Sequence, residues 1–176
     1  QRVLVNKNWD LLRYPAGTLS NYFDWRSGWY IREKQSPEGW LYDKYAYRKE
    51  TDYLGNNVTD FSHNLGFFAG TPILALNLLT SNVYTETAML YAMGEVNVPV
   101  KYIELGNEFY LSDEQYKDKF PTVADYFNTA KSWINTIKNL SIPQISNIVK
   151  FGIVGDEISS DEIGRRRMWL PTILDK

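Results

Sequence analysis

The sequence predicts an α/β fold, with about four parallel strands joined by crossover helices. Three observations carry this reading. Short apolar runs of strand length recur along the chain: Leu11-Leu12-Arg13-Tyr14, Ile73 to Asn77, Val98 to Leu105 and Val149 to Val154. Segments with apolar residues at helical spacing lie between them. The run from Ile73 to Asn77 is nearly continuous rather than alternating, as a strand covered on both faces reads, and alternation of such strands with helices means a parallel sheet.

The elements follow in order. The first run is ended by Pro15-Ala16-Gly17. From Thr18 to Thr59 the chain is rich in Trp, Tyr, Gly and Asp and has little period. It is too long for an ordinary connection, and such loops in compact domains are usually functional. Asp60 to Phe68 reads as a helix started by Asp60 or Ser62 and ended at Gly70 and Pro72. Thr85 to Val96 reads as a second helix, with Ala88, Met89, Ala92 and Met93 on one face. Ser112 with Gln115 offers a capping box, and Thr122 with Asp125 a second N-cap signal after Pro121. The helix that follows puts Val123, Tyr126, Phe127, Ala130, Trp133, Ile134 and Ile137 on one stripe. Asp161 to Leu174 reads as the last helix.

Composition removes several functional classes. The chain has 176 residues, 44% hydrophobic and 23% charged, and a net charge of −2. That is the balance of one globular domain with a core, spanning residues 1–176. The only basic run is Arg165-Arg166-Arg167, read as a solvated helix face, so no nucleic acid is expected as a partner. There are no cysteines and one histidine, His63. Thiolate metal sites, cysteine nucleophiles, histidine metal sites and a Ser-His triad are thereby set aside, and no metal is expected. No apolar run reaches the roughly 18 residues of a membrane span. No G-x-G-x-x-G or phosphate loop follows the first strand, and no cofactor is expected. Aromatic residues make up 15%, with 13 Tyr and 6 Trp. Many crowd between Tyr14 and Tyr47, where their planes suit the C–H faces of sugar rings.

Each strand run ends in polar residues: Arg13, Asn77, Asn107-Glu108 and Asp156-Glu157. Polar groups at successive strand ends mark the active face of a (β/α)8 (TIM) barrel, although an open sheet also binds there. A full barrel takes about 250 residues and eight strands; about four are present. The expectation is a partial barrel, a fragment of a longer polypeptide whose remainder lies on the same chain or a companion fragment. A start at Gln1 rather than Met fits a processed product.

The segment Tyr102-Ile103-Glu104-Leu105-Gly106-Asn107-Glu108-Phe109-Tyr110 resembles the fourth strand of clan A glycoside hydrolases, retaining (β/α)8 barrels. The wording is closest to the heparanase-like and α-L-arabinofuranosidase-like branches. Arg13-Tyr14-Pro15-Ala16-Gly17-Thr18 resembles their second-strand Arg-aromatic-Pro-Gly-Gly motif, with Ala16 in place of a Gly. Ser20-Asn21-Tyr22-Phe23-Asp24-Trp25 resembles the segment that often follows. Pro72 to Asn77 and Gly152 to Asp156 look like the third and fifth strands. The resemblance implies hydrolysis of a poly- or oligosaccharide, with Glu108 as general acid/base. It implies substrate-binding roles for Asn107, on the sugar 2-hydroxyl, and for Asn77, Tyr110 and Trp25. It gives Arg13 the task of holding the nucleophilic carboxylate ionised. That nucleophile belongs to a seventh strand this chain does not contain. Asp156 or Glu157 is a substitute by position alone. An extracellular or periplasmic place is implied as well. Glu104, four residues before Glu108, points the same way in an ideal strand and needs a partner. The alternative is a non-catalytic truncated barrel, a carbohydrate-binding or structural component of an assembly.

Overall fold

The computed structural model describes residues 11–30, 57–68, 70–140, 142, 145–156 and 164–174. Four parallel strands, β1 (Leu11–Tyr14), β4 (Thr71–Leu76), β5 (Val100–Leu105) and β6 (Ile145–Ile153), form one sheet in the order β1-β4-β5-β6. Two-residue strands β2 (Phe23–Asp24) and β3 (Trp29–Tyr30) pair antiparallel as a separate hairpin within the long first connection. In the sheet each strand lies beside its predecessor, with no reversal. A doubly wound sheet reverses at a switch point; a barrel does not. The sequential order is that of an arc of a (β/α) barrel.

The helices are α1 (Val58–Phe68), α2 (Val83–Glu95), α3 (Glu114–Lys119), α4 (Val123–Asn139) and α5 (Arg165–Leu174). Local polar bonds set their limits. Asn57, not Asp60 or Ser62, starts α1: Asn57 Oδ1 accepts from Asp60 N and Asp60 Oδ2 accepts from Asn57 N. Asn82 caps α2 by accepting from Tyr84 N and Thr85 N, so the helix begins at Val83, two residues before the expected start. Val98 N bonds Met93 O, so Val98 closes that helix instead of opening β5. The Thr122–Asp125 box forms as expected, whereas Ser112 caps nothing, because α3 begins after Asp113. The first residues of the expected last helix, 161–163, lie outside the described residues.

The two faces of the sheet differ. Leu74, Leu76, Ile103 and Leu105 pack under the helices and are fully buried. The α4 stripe supplies Tyr126, Ala130, Trp133 and Ile137 to the same layer. On the opposite face, paired by register, Arg13, Ile73 and Tyr102 are half-buried, and Leu11 is 52% exposed. In a closed barrel that face is the packed interior.

The sheet's carboxyl end rests on an aromatic cluster of Phe109, Tyr116, Phe120, Tyr126 and Trp169. Tyr126 Oη donates to Leu105 O (3.0 Å) and accepts from Val154 N (2.7 Å), tying the ends of β5 and β6 to α4. Arg165 donates to the carbonyls of Phe109, Phe120 and Pro121 and lies over Trp169. Arg166 pairs with Asp156. The triple-arginine run is therefore no solvated face: only Arg167 is solvent-exposed.

The turn after β4 contains a buried carboxyl. Asn77 leaves the ladder because its N–H donates to Glu86 Oε2 (3.0 Å). Glu86 is 2% exposed, and burial pushes its carboxyl up to about 7 from 4.5. Because the folded value lies above the unfolded one, the protonated form favours folding. That contribution is whole below about pH 4.5 and is lost as pH rises through about 7. It amounts to something on the order of 3 kcal/mol. Urea unfolding of Glu86→Gln against pH should lack this decline and show a more stable protein at pH 8. Parallel curves for the two proteins would contradict the assignment.

Candidate active site

At the carboxyl ends of β1, β5 and β6 a cavity of about 250 Å³ is lined by Arg13, Glu104, Gly106, Asn107, Glu108 and residues 152–155. Its polar groups form one chain. Arg13 Nε donates to Glu104 Oε2 at 2.5 Å, and Arg13 Nη2 donates to Asn107 Oδ1 at 3.1 Å. Asn107 Nδ2 donates to Glu108 Oε2 at 2.9 Å. Tyr110 Oη donates to Glu108 Oε1 at 3.3 Å. Both oxygens of Glu108 thus receive neutral donors.

The charges are sorted as well. Among the described residues the ion pairs are Arg13–Glu104 and Arg166–Asp156, and Glu108 is in neither. Tyr110 lies beneath the Arg166 guanidinium (5.1 Å to the ring centroid). Its phenol is pushed up by burial, then by the charges of Glu108 and Asp156.

Backbone conformation aims Glu108. The strand ends at Gly106, with φ +90°, and Glu108 itself sits at φ +50°. A left-handed non-glycine residue costs roughly 1–2 kcal/mol and persists only where its surroundings hold it. Here the holder is Asn21, fully buried in the short 3₁₀ turn Gly17–Asn21. Asn21 Oδ1 accepts from Asn107 N (3.0 Å), and its Nδ2 donates to Asn107 O (2.7 Å) and to Tyr116 Oη (3.1 Å). Leu111 N bonds Glu108 O (3.0 Å) and closes the turn.

Arg13, Asn107, Glu108 and Tyr110 are brought together. Asn77 and Trp25 are not. The Asn77 side chain is spent inward: Nδ2 donates to Thr80 Oγ1 and Phe23 O, and Oδ1 accepts from Thr80 N. Trp25 lines a second cavity, where its Nε1 donates to Thr85 O. Asp156 is engaged by Arg166 through both oxygens, and Glu157 lies outside the described residues. His63 is exposed on α1. Among the described residues no group of three His, Cys, Asp or Glu is arranged to hold a metal. No described helix is long and apolar enough to cross a membrane. Sequence reasoning gave no role to Asn21 or Arg166. Asn21 was marked only as part of the Ser20 to Trp25 segment that carries the family resemblance, and no period or spacing tied it to Asn107. Arg166 was masked by the run it belongs to.

Comparison with known proteins bears on the fold. No protein-family model matches the chain, and no curated protein does. Solved structures match. The α-L-arabinofuranosidase of Thermotoga maritima, in an arabinose complex, aligns at 21% identity with a TM-score of 0.57, over 84% of this chain and 31% of that one. The thermostable GH51 α-L-arabinofuranosidase of Thermotoga petrophila RKU-1 aligns at 20% identity and TM-score 0.58, over 85% and 32%. A third arabinofuranosidase aligns at 20% and 0.58, over 84% and 31%. The likeness is one of fold: this chain spans about a third of the length of the proteins it matches.

Two substitutions test the turn. A Cβ at Gly106 would lie 2.1 Å from the Phe109 ring, in a backbone conformation that already disfavours side chains. Gly106→Ala should cost about 3 kcal/mol or more in urea unfolding. Asn21→Ala orphans the buried N–H and C=O of Asn107 and should cost about 2–4 kcal/mol. A loss below about 0.5 kcal/mol in either, the level of a neutral surface change, would contradict the turn described.

Proposed function

We propose that this chain supplies the acid/base side of a retaining glycoside-hydrolase site acting on a poly- or oligosaccharide. The observation that carries the reading is Glu108: a carboxyl at the mouth of a barrel strand, free of any described ion pair, hydrogen-bonded on both oxygens and held by a strained turn. The arabinofuranosidase fold of its neighbours supports a glycoside as substrate.

In this reading Glu108 protonates the leaving oxygen and then, as carboxylate, takes a proton from the attacking water. Asn107 Nδ2 has a second hydrogen beyond the one given to Glu108, suited to a sugar hydroxyl. Arg13 spends Nε on Glu104 and one Nη2 hydrogen on Asn107, which leaves N–H groups to hold a second carboxylate. A retaining mechanism needs that carboxylate about 5–5.5 Å from Glu108. The remainder of the barrel would bring it, covering the half-open inner face of the sheet. An extracellular or periplasmic place would follow from a polymeric substrate.

The test is hydrolysis of aryl glycosides, 4-nitrophenyl α-L-arabinofuranoside among them, by the source polypeptide. Glu108→Gln should lower kcat by about 10²–10⁴ with little change in stability, while kcat/KM falls least for the 4-nitrophenyl leaving group, which departs without protonation. Unchanged hydrolysis would remove Glu108 from the mechanism. A source polypeptide that hydrolyses nothing in the panel would favour the non-catalytic truncated barrel.

A further inference from the structure

A second cavity, also about 250 Å³, lies between the β2–β3 hairpin and the start of α2. The hairpin side contributes Asp24, Trp25 and Arg26; the helix side contributes Ser81, Thr85 and Glu86. Glu86 is its unusual member. It is 2% exposed, its Oε2 accepts from Asn77 N, the Ser81 side chain lies within hydrogen-bonding reach of the carboxyl, and its Oε1 has no hydrogen-bond partner. Leaving a buried carboxyl oxygen unpaired is costly, and folded proteins rarely tolerate it without a use.

The walls narrow the ligand that would satisfy it. An anion would face the carboxyl groups of Asp24 and Glu86. A metal ion would find only those two carboxylates, with Arg26 beside them. A neutral, hydroxyl-bearing ring meets none of these objections. Trp25 is fixed by its bond to Thr85 O, with the Arg26 guanidinium 5.0 Å from its ring centroid, so the indole is a rigid wall. Asp24, Ser81 and Thr85 add donors and acceptors. The volume falls below the roughly 300–1,000 Å³ of drug-sized pockets, which suits a single ring.

We propose that this cavity is a second carbohydrate-binding site, distinct from the Glu108 cavity, taking one sugar ring whose hydroxyl donates to Glu86 Oε1 and whose C–H face lies against Trp25. Burial, which pushes the Glu86 carboxyl up to about 7, lets it accept or donate near neutrality. The site does not require Glu108 to be catalytic.

The experiment uses the source polypeptide carrying Glu108→Gln, titrated with L-arabinose, D-xylose and D-galactose and followed by calorimetry and tryptophan fluorescence. At least one sugar should bind with a tryptophan signal, and added Glu86→Gln should weaken that event about tenfold. Ser81→Phe, which fills the cavity from its rim, should abolish it. In the Glu108-containing protein, both variants should leave kcat/KM for a small aryl glycoside unchanged. Binding equally strong in both variants, or no binding of any of the three sugars at high millimolar concentration, overturns the proposal. Hydrolysis tracks Glu108 and this binding tracks Glu86, so failure of either reading is seen separately.

Discussion

Two hydrogen bonds from one buried side chain determine where the Glu108 carboxyl points. Asn21 reads both the N–H and the C=O of Asn107, as a neighbouring strand would. β5 therefore keeps its pairing for one more residue after the sheet has ended. The left-handed Glu108 can exist only downstream of that clamp, since nothing in its own preferences favours φ +50°. Gly106 is the other half of the same constraint: the turn starts there because the Phe109 ring occupies the space a side chain would need. Loop, strand and aromatic cluster thus meet at one turn, and the orientation of Glu108 follows from all three.

The charges around it are arranged by separation. Each nearby arginine has its own carboxylate, Glu104 for Arg13 and Asp156 for Arg166. Arg13 reaches Glu108 only through the neutral amide of Asn107, which accepts from one and donates to the other. That amide lets a cation organise the site without sitting on the carboxyl. The strand positions make the pairing possible: parallel register puts Arg13 level with Tyr102, two residues before Glu104, on the same face of the sheet.

Much of this was legible in the sequence because it rests on period and local chemistry. The apolar runs marked four strands, the α4 stripe marked its buried face, and Thr122 with Asp125 marked a helix start. Glu104 stood out as an inward charge in need of a partner, and Arg13 is that partner. What could not be read depends on distance in space. Asn21 and Asn107 are 86 residues apart, and no local pattern connects them. Asn77 and Trp25 carried suitable residue types for a sugar site. Their neighbours place both outside the Glu108 cavity: Thr80 and Phe23 take up the Asn77 amide, and Thr85 holds Trp25 in the second cavity. The arginine run misled because its first two members reach back to loop carbonyls and to Asp156, contacts invisible along the chain.

The most direct test is chemical rescue of Glu108→Ala in the source polypeptide. Hydrolysis of an aryl glycoside with a good leaving group should fall and be restored by added azide. The glycosyl azide formed should keep the anomeric configuration of the substrate, because azide takes the place of the water that Glu108 activates on a covalent intermediate. An inverted azide would point to Glu108 as nucleophile. Wild-type rates in Glu108→Ala without azide would contradict any catalytic role for this carboxyl.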